Sequence, residues 1–240
     1  MVLDFRELFP IQKPIIGMIH LAGSNQEEKI TRALQELAIY QQEGVNGAII
    51  ENYHGTFQDV YETLRQSAVA HLTITRGVNL LNHWRYSSFN CASDFGARFV
   101  QFDSVQTADL GNVEFYEQQR RRHSNIQVLG GIRFKYKRET GNPLEVDLAE
   151  GVSRCEAIVT TGDGTGVETP IDKLRMFKKY LVNFPLIVGA GVTAQNAYEQ
   201  LRVADGAIVG SYFKPDGDTQ EPVDRKRVRD FMDVVRQARS

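Results

Sequence analysis

His20, Glu51, Asn79, Asp103 and Lys135 each stand at or just beyond the carboxyl end of an apolar run. The runs span Pro14 to Leu21, Gly47 to Asn52, Thr75 to Leu81, Ala97 to Asp103 and Ile126 to Phe134. A carboxylate, an imidazole and an amine around one mouth suit proton transfer or Schiff-base chemistry on a carbonyl compound. In that reading Glu51 is the general acid or base, with Asp103 a second carboxylate. His20, Asn79 and Lys135 would place or polarise the reacting oxygen. Each also has a plain use: His20 and Asn79 can bond neighbouring strand ends, and Lys135, in the charged stretch FKYKRE, can reach solvent. No spacing of histidines or carboxylates marks a metal site, and the cofactor is unassigned.

A second set of candidates is rich in glycine. PLIVGAGVTAQN (Pro185 to Asn196) and ADGAIVGSYFKPDG (Ala204 to Gly217) are apolar runs that end abruptly in glycine. Gly189 and Gly191, then Gly210 and Ser211, offer backbone N–H groups with no side chain in the way of an anion. The hydroxyls of Thr193 and Ser211 add donors. A third loop, TTGDGTG, brings Gly162, Asp163 and Gly164 to a place where they can wrap a ligand. The same glycines also serve tight turns or close helix–strand packing. GAGVTA is not a dinucleotide fingerprint, because the third glycine is missing and the segment follows a late strand.

What must position these residues is a repeated strand–helix unit. Three further runs, Cys155 to Gly162, Pro185 to Gly191 and Asp205 to Phe213, bring the strands to eight. Most are continuous apolar runs, as parallel strands covered on both faces require. Between them, Ile30, Ala33, Leu34, Leu37 and Tyr40 recur at helical intervals up to Gly44, and Thr169 with Pro170 reads as an N-cap and first helical residue. The last helix runs through PVDRKRVRDFMDVVRQAR. Eight such units without a linker predict a single (β/α)8 TIM barrel of the phosphate-binding type over residues 1–240, ahead of an open doubly wound sheet.

The bulk numbers narrow the function classes. A net charge of −2 gives no reason to expect nucleic acid or an anionic membrane as partner. The basic runs Arg120 to Arg122 and Arg225 to Arg229 fall on helices and read as solvated faces, with Arg227 set apart below. Two cysteines, Cys91 and Cys155, are too few for a disulfide framework. The charged N-terminus does not read as a signal peptide, and no apolar run is long enough to be an integral membrane segment. The expected setting is the cytoplasm. The expected partner is a phosphorylated small molecule, and a homo-oligomer is compatible with the pattern.

PIIGMIHL, GAIIEN, RGVNLL, ADLG (Ala108 to Gly111), VTTGDGTG, VGAGVTAQN and ADGAIVGSYFKPDG followed by PVDRKRV together resemble the BtpA/SgcQ family of barrel proteins. That family is named for a photosystem I biogenesis factor and a protein of a sugar-utilisation gene region. The resemblance covers nearly the whole chain. It implies site positions at His20, Glu51, Asn52, Asn79, Lys135, Gly162, Gly189, Gly191, Gly210, Lys214, Asp224 and Arg227. It also implies that Asp224 and Arg227 latch the last helix to the loop after strand eight. The chain departs from the family at three rim loops: AGSNQEEK is short and lacks prolines, YHGTF lacks the usual Asp and Pro, and NHW (Asn82 to Trp84) replaces an Asn-Asp pair. Some members are labelled nucleoside triphosphatases, yet no GxxxxGK[ST] loop is present here. The leading expectation is an enzyme (lyase, isomerase or hydrolase) acting on a sugar phosphate or nucleotide derivative. The alternative is a non-catalytic assembly factor working through protein or membrane partners.

Overall fold

The computed structural model describes residues 4–70, 72–82 and 85–239. The eight strands are β1 (Ile15–Ile19), β2 (Gly47–Glu51), β3 (Thr75–Asn79), β4 (Phe99–Phe102), β5 (Gln127–Gly131), β6 (Ala157–Thr161), β7 (Leu186–Gly189) and β8 (Gly206–Val209). Each pairs in parallel with its sequence neighbours, and β8 closes on β1, giving the closed barrel the sequence predicts. The strands stop short of the apolar runs. His20, Leu21, Asp103 and the Ile132–Phe134 segment leave the ladder and build loops, Leu21 and Arg133 with positive φ.

The helices are α1 (Phe5–Leu8), α2 (Gln26–Gln42), α3 (Phe57–Val69), α4 (Ser87–Asp94), α5 (Thr107–Leu110), α6 (Val113–Arg122), α7 (Leu144–Arg154), α8 (Ile171–Leu181), α9 (Ala197–Val203) and α10 (Arg225–Arg239). α2 starts where the Asn25 side chain accepts from the Glu28 N–H, and α3 starts with a reciprocal Thr56–Asp59 capping box. α8 corrects one expectation. Thr169 is not its N-cap: it is fully buried and its hydroxyl donates to the Gly189 carbonyl, while Pro170 occupies the cap position. The loop after β6 is pressed so closely on β7 that the threonine is spent on that contact.

Strand parity decides which side chains enter the barrel. Ile16, Met18, Ile49, Phe99, Leu129, Ala157, Val159, Ile187 and Ile208 form one inner cluster with Phe5, Leu8 and Phe9, so α1 plugs the bottom of the barrel. The alternate residues, among them Ile15, Ile50, Val78, Val100, Val128, Ile158, Val188 and Val209, join the outer core under the helices. Phe9 meets Phe99 edge-on at 5.8 Å, and Phe99 crosses to β3, where a Cβ on Gly77 would lie 2.2 Å from its ring. Gly77→Ala is therefore expected to destabilise by about 1–3 kcal/mol through overpacking, read by urea denaturation. No loss would mean that Phe99 repacks freely.

α2 and the segment after β8 are stapled together. Lys214, after β8, is 1% exposed; its ammonium bonds Glu36 of α2 at 2.9 Å and the Glu221 carbonyl at 2.7 Å. The same Glu36 oxygen accepts from the Val223 N–H at 3.0 Å. Asp224 caps α10 and its own N–H donates to the Phe213 carbonyl, while Arg227 donates to the Tyr212 carbonyl and lies over the Tyr212 ring.

Candidate active site at the barrel mouth

One step further along the inward-facing parity stand His20, Glu51, Asn79, Gln101, Asp103, Thr161, Gly189 and Gly210. The polar ones on β2 to β4 form a single network. The Asn79 amide faces Glu51 Oε1 at 2.7 Å, Gln101 Oε1 at 3.1 Å and Asp103 Oδ1 at 3.1 Å, and Gln101 donates to Asp103 at 3.0 Å. Adjacent parallel strands bring Glu51 and Asn79 into register, which is why residues 28 apart in the chain meet.

Burial first, then the negative charge of Asp103, pushes Glu51 up to about 8, against the pull of Lys135 and of the Asn79 hydrogen bond. Glu51 therefore holds its proton at neutral pH, the state a general acid needs. His20 goes the other way. Burial, followed by the nearby Lys214, His54 and Lys135, pushes it down to about 3, so the imidazole is neutral. Its Nδ1 is buried without a hydrogen-bond partner among the described residues.

These groups look into a cavity of about 170 Å³ lined by His20, Glu51, Gln101, Asp103, Lys135, Thr161 and Thr165, with Gly189, Gly191, Gly210 and Ser211 opposite. Lys135 reaches the Thr165 hydroxyl at 3.0 Å, and its N–H donates to Thr161 Oγ1 at 2.7 Å. The loop after β5 is thereby tied to the loop after β6, a contact strengthened by the Thr165 N–H donating to the Tyr136 hydroxyl at 2.9 Å. Tyr53, Phe134, Tyr136 and Tyr212 add aromatic surface to the lining, Tyr53 meeting the His20 ring edge-on at 5.4 Å.

The glycine positions divide. Gly210 lets the His20 ring approach, since a Cβ there would lie 3.0 Å from its Cε1. Gly191 has φ +66° and lies against the Val167–Glu168 backbone, where a Cβ would meet atoms at 2.3 Å. Gly162 packs against the Glu168 carbonyl in the same way. At these two positions the glycine admits a neighbouring loop, the close-packing use that the sequence also allowed. Gly162 and Asp163 line an adjoining groove and not the mouth cavity, and Gly164 sits beneath the Tyr136 hydroxyl. Thr193 exchanges bonds with Asn196 ahead of α9 and does not line the cavity.

Lys214 is likewise absent from the cavity lining, its ammonium engaged with Glu36. Arg227 supports the Tyr212 wall from behind. Asn52 accepts from the Leu81 N–H at 2.8 Å and so braces the loop after β3. In that loop His83 and Trp84 of the NHW departure lie outside the described residues. Sequence reasoning did not pick out Gln101, and it took the hydroxyls of TTGDGTG only as part of a ligand-wrapping loop, without singling out Thr161 or Thr165. For Gln101 and Thr161 the period-two count inward from Phe99 and Val159 was the available signal.

Eight parallel strands closed on themselves, with a glycine-walled cavity facing a carboxyl network at their carboxyl ends, define a (β/α)8 barrel. The family model described as BtpA family matches residues 11–237, and the chain belongs to that family. It is 32% identical to an uncharacterised protein of Pyrococcus abyssi, over 95% of this chain and 97% of that one. It is 25% identical to the photosystem I biogenesis protein BtpA of Synechocystis sp. (97% and 91%) and 26% identical to the sgc region protein SgcQ of Escherichia coli K12 (98% of each). Among solved structures, N-(5'-phosphoribosyl)anthranilate isomerase of Pyrococcus furiosus superposes with a TM-score of 0.61 at 16% identity, over 94% of this chain and 99% of that one. The phosphoribosyl anthranilate isomerase of Thermotoga maritima gives 0.65 at 13% identity, over 94% and 99%. Those likenesses carry the fold. No helix among the described residues is long and apolar enough to cross a membrane.

Proposed function

We propose that this chain is an enzyme that moves a proton on a small phosphorylated carbonyl compound, the reaction class of sugar-phosphate isomerases. The carrying observation is that the carboxyl groups of Glu51 and Asp103 share one network through Asn79, across a cavity from the glycine wall of β7 and β8, with burial holding the proton on Glu51. Glu51 acts as the general acid, and Asp103 accepts the proton removed from carbon. Two carboxyl groups in one site divide acid and base roles when their environments separate them. Neutral His20, with a free ring nitrogen, is suited to a hydrogen bond with the reacting oxygen.

Gly189, Gly191, Gly210 and Ser211 hold the phosphate, and binding at that remote group positions the reacting carbon. Lys135 lies close enough to bias Glu51 and reaches toward the substrate's anionic side. The phosphate-named barrel isomerases among the solved structures support the substrate class. Two free, buried cysteines support a reducing, cytoplasmic setting.

The test is thermal melting against sugar phosphates, each beside its unphosphorylated counterpart, on the parent and on Ser211→Asp. Ligand at a hundred times its dissociation constant stabilises by ~2.7 kcal/mol. That raises the midpoint by roughly 5 to 10 °C in a domain of this size. The expected result is a shift from phosphorylated compounds alone, lost in the variant. No shift from any of them sinks the proposal and moves the weight to a non-catalytic assembly factor; the Synechocystis relative is named a photosystem I biogenesis protein.

A further inference from the structure

Beside the mouth, between the loops after β5 and β6 and the start of α8, lies a second cavity of about 540 Å³, larger than the mouth itself. Its charged lining is cationic: Arg133, Lys135, Lys137, Arg138 and Lys173 against Glu139 and Asp163. Three of the cations are already engaged. Arg133 pairs with the buried Asp147 at 2.9 Å, Lys173 donates to the Arg133 and Thr161 carbonyls, and Lys135 bonds Thr165. Lys137 and Arg138 make no side-chain hydrogen bond or ion pair among the described residues.

The floor of the groove carries the more telling group. Gln106 is 1% exposed, and its Oε1 accepts from the Arg133 N–H at 3.1 Å, yet its Nε2 is buried with no partner among the described residues. Buried donors are almost always satisfied, and leaving one unpaired is costly. An acceptor bound in the groove removes that cost. The loop over it is held in an unusual shape, with positive φ at Arg133 and Tyr136, and such strain gathers where a ligand is clasped. Leu144, Met176 and Phe177 give the groove an apolar side.

We propose that this groove is a second binding site, for a small phosphate-bearing dianion, with Lys137 and Arg138 matching its charge and the Gln106 amide donating to one of its oxygens. Phosphate chemistry follows from the combination of two uncommitted cations with a neutral donor at the bottom, which together satisfy a compact oxyanion. The site is separate from the proposed phosphate wall at β7 and β8. The two chambers share only the Phe134–Lys135–Tyr136 partition. An occupant of the groove therefore touches the same loop that presents Lys135 to the mouth.

The experiment is isothermal titration of the full chain with inorganic phosphate, a dianion at pH 8, at constant ionic strength, on four proteins: the parent, Lys137→Gln/Arg138→Gln, Gln106→Met and Ser211→Asp. The double variant changes only exposed or half-buried side chains, and melting curves check that all four fold. Each charge-assisted bond removed should weaken the groove event by about tenfold or more. The expected pattern is weakening in the double variant and in Gln106→Met, with the event retained in Ser211→Asp. No binding by the parent, or equal binding by the double variant, overturns the proposal. So does weakening in the double variant without weakening in Gln106→Met, which is simple charge attraction. An event lost only in Ser211→Asp overturns the groove while upholding the mouth site.

Discussion

Lys214→Ala unfolds at much lower denaturant than the parent, with an expected loss of about 3–5 kcal/mol, because it strands a buried carboxylate. Glu36 and Lys214 are both almost fully buried, and their 2.9 Å pair joins the first barrel helix to the last loop. Burial already raises Glu36 above the ordinary carboxylate range, and the Lys214 ammonium is the main influence holding it down. Without the lysine, Glu36 keeps the Val223 N–H and the weaker pull of Arg32, and loses its paired charge. A domain of this size would melt on the order of 10 °C lower. Glu36→Met/Lys214→Met, which removes both charges, should recover most of the loss, since well-packed apolar pairs often match buried ion pairs. Urea denaturation of the three proteins decides. A loss under about 1 kcal/mol in Lys214→Ala would show that water reaches the pair.

Glu51→Gln carries the second large effect, and it is a dependence on pH. With its proton held up to about 8, folded Glu51 binds a proton that the unfolded chain releases near 4.5. The unfolded state then binds fewer protons, so on this account stability falls as pH rises from about 4.5 to about 8 and levels off above. His20 acts in the opposite sense: neutral down to about 3 when folded and protonated below 6.5 when unfolded, it makes stability rise with pH across that window. Between 4.5 and 6.5 the two slopes oppose each other, and between 6.5 and about 8 only Glu51 acts.

Glutamine imitates the protonated acid and keeps the oxygen that accepts from Asn79. Glu51→Gln should therefore melt like the parent near pH 5 and several degrees higher at pH 8.5, a gain of order a few kcal/mol. Parallel curves across that range would mean that Glu51 ionises freely, and the general-acid role would fail with it.

The barrel was legible because eight apolar runs, each followed by a helical pattern, admit few alternatives. The mouth was legible where a polar residue ends a strand, as Glu51 and Asn79 do, or directly follows one, as His20 and Asp103 do. Gln101 stayed hidden inside the run ARFVQFD, which reads as continuous apolar sequence unless one counts every second residue from Phe99. Gly191 lines the cavity, but where its Cβ would stand is the backbone at Val167, on another loop, and nothing local in the sequence shows that contact. Lys214 followed a strand end just as Lys135 does. Its use was decided by Glu36, 178 positions away.

The plug formed by α1 bears on how the protein is made. Phe9 rests on Phe99, about 90 residues later in the chain. At roughly 5–20 residues per second, a ribosome needs on the order of 5–20 s to deliver that partner. Throughout that interval Phe5, Leu8 and Phe9 are a sticky apolar tip on a growing, unfinished sheet. The newborn chain must keep this tip from its neighbours' tips, and a chaperone that grips short aromatic segments would find its first handle there.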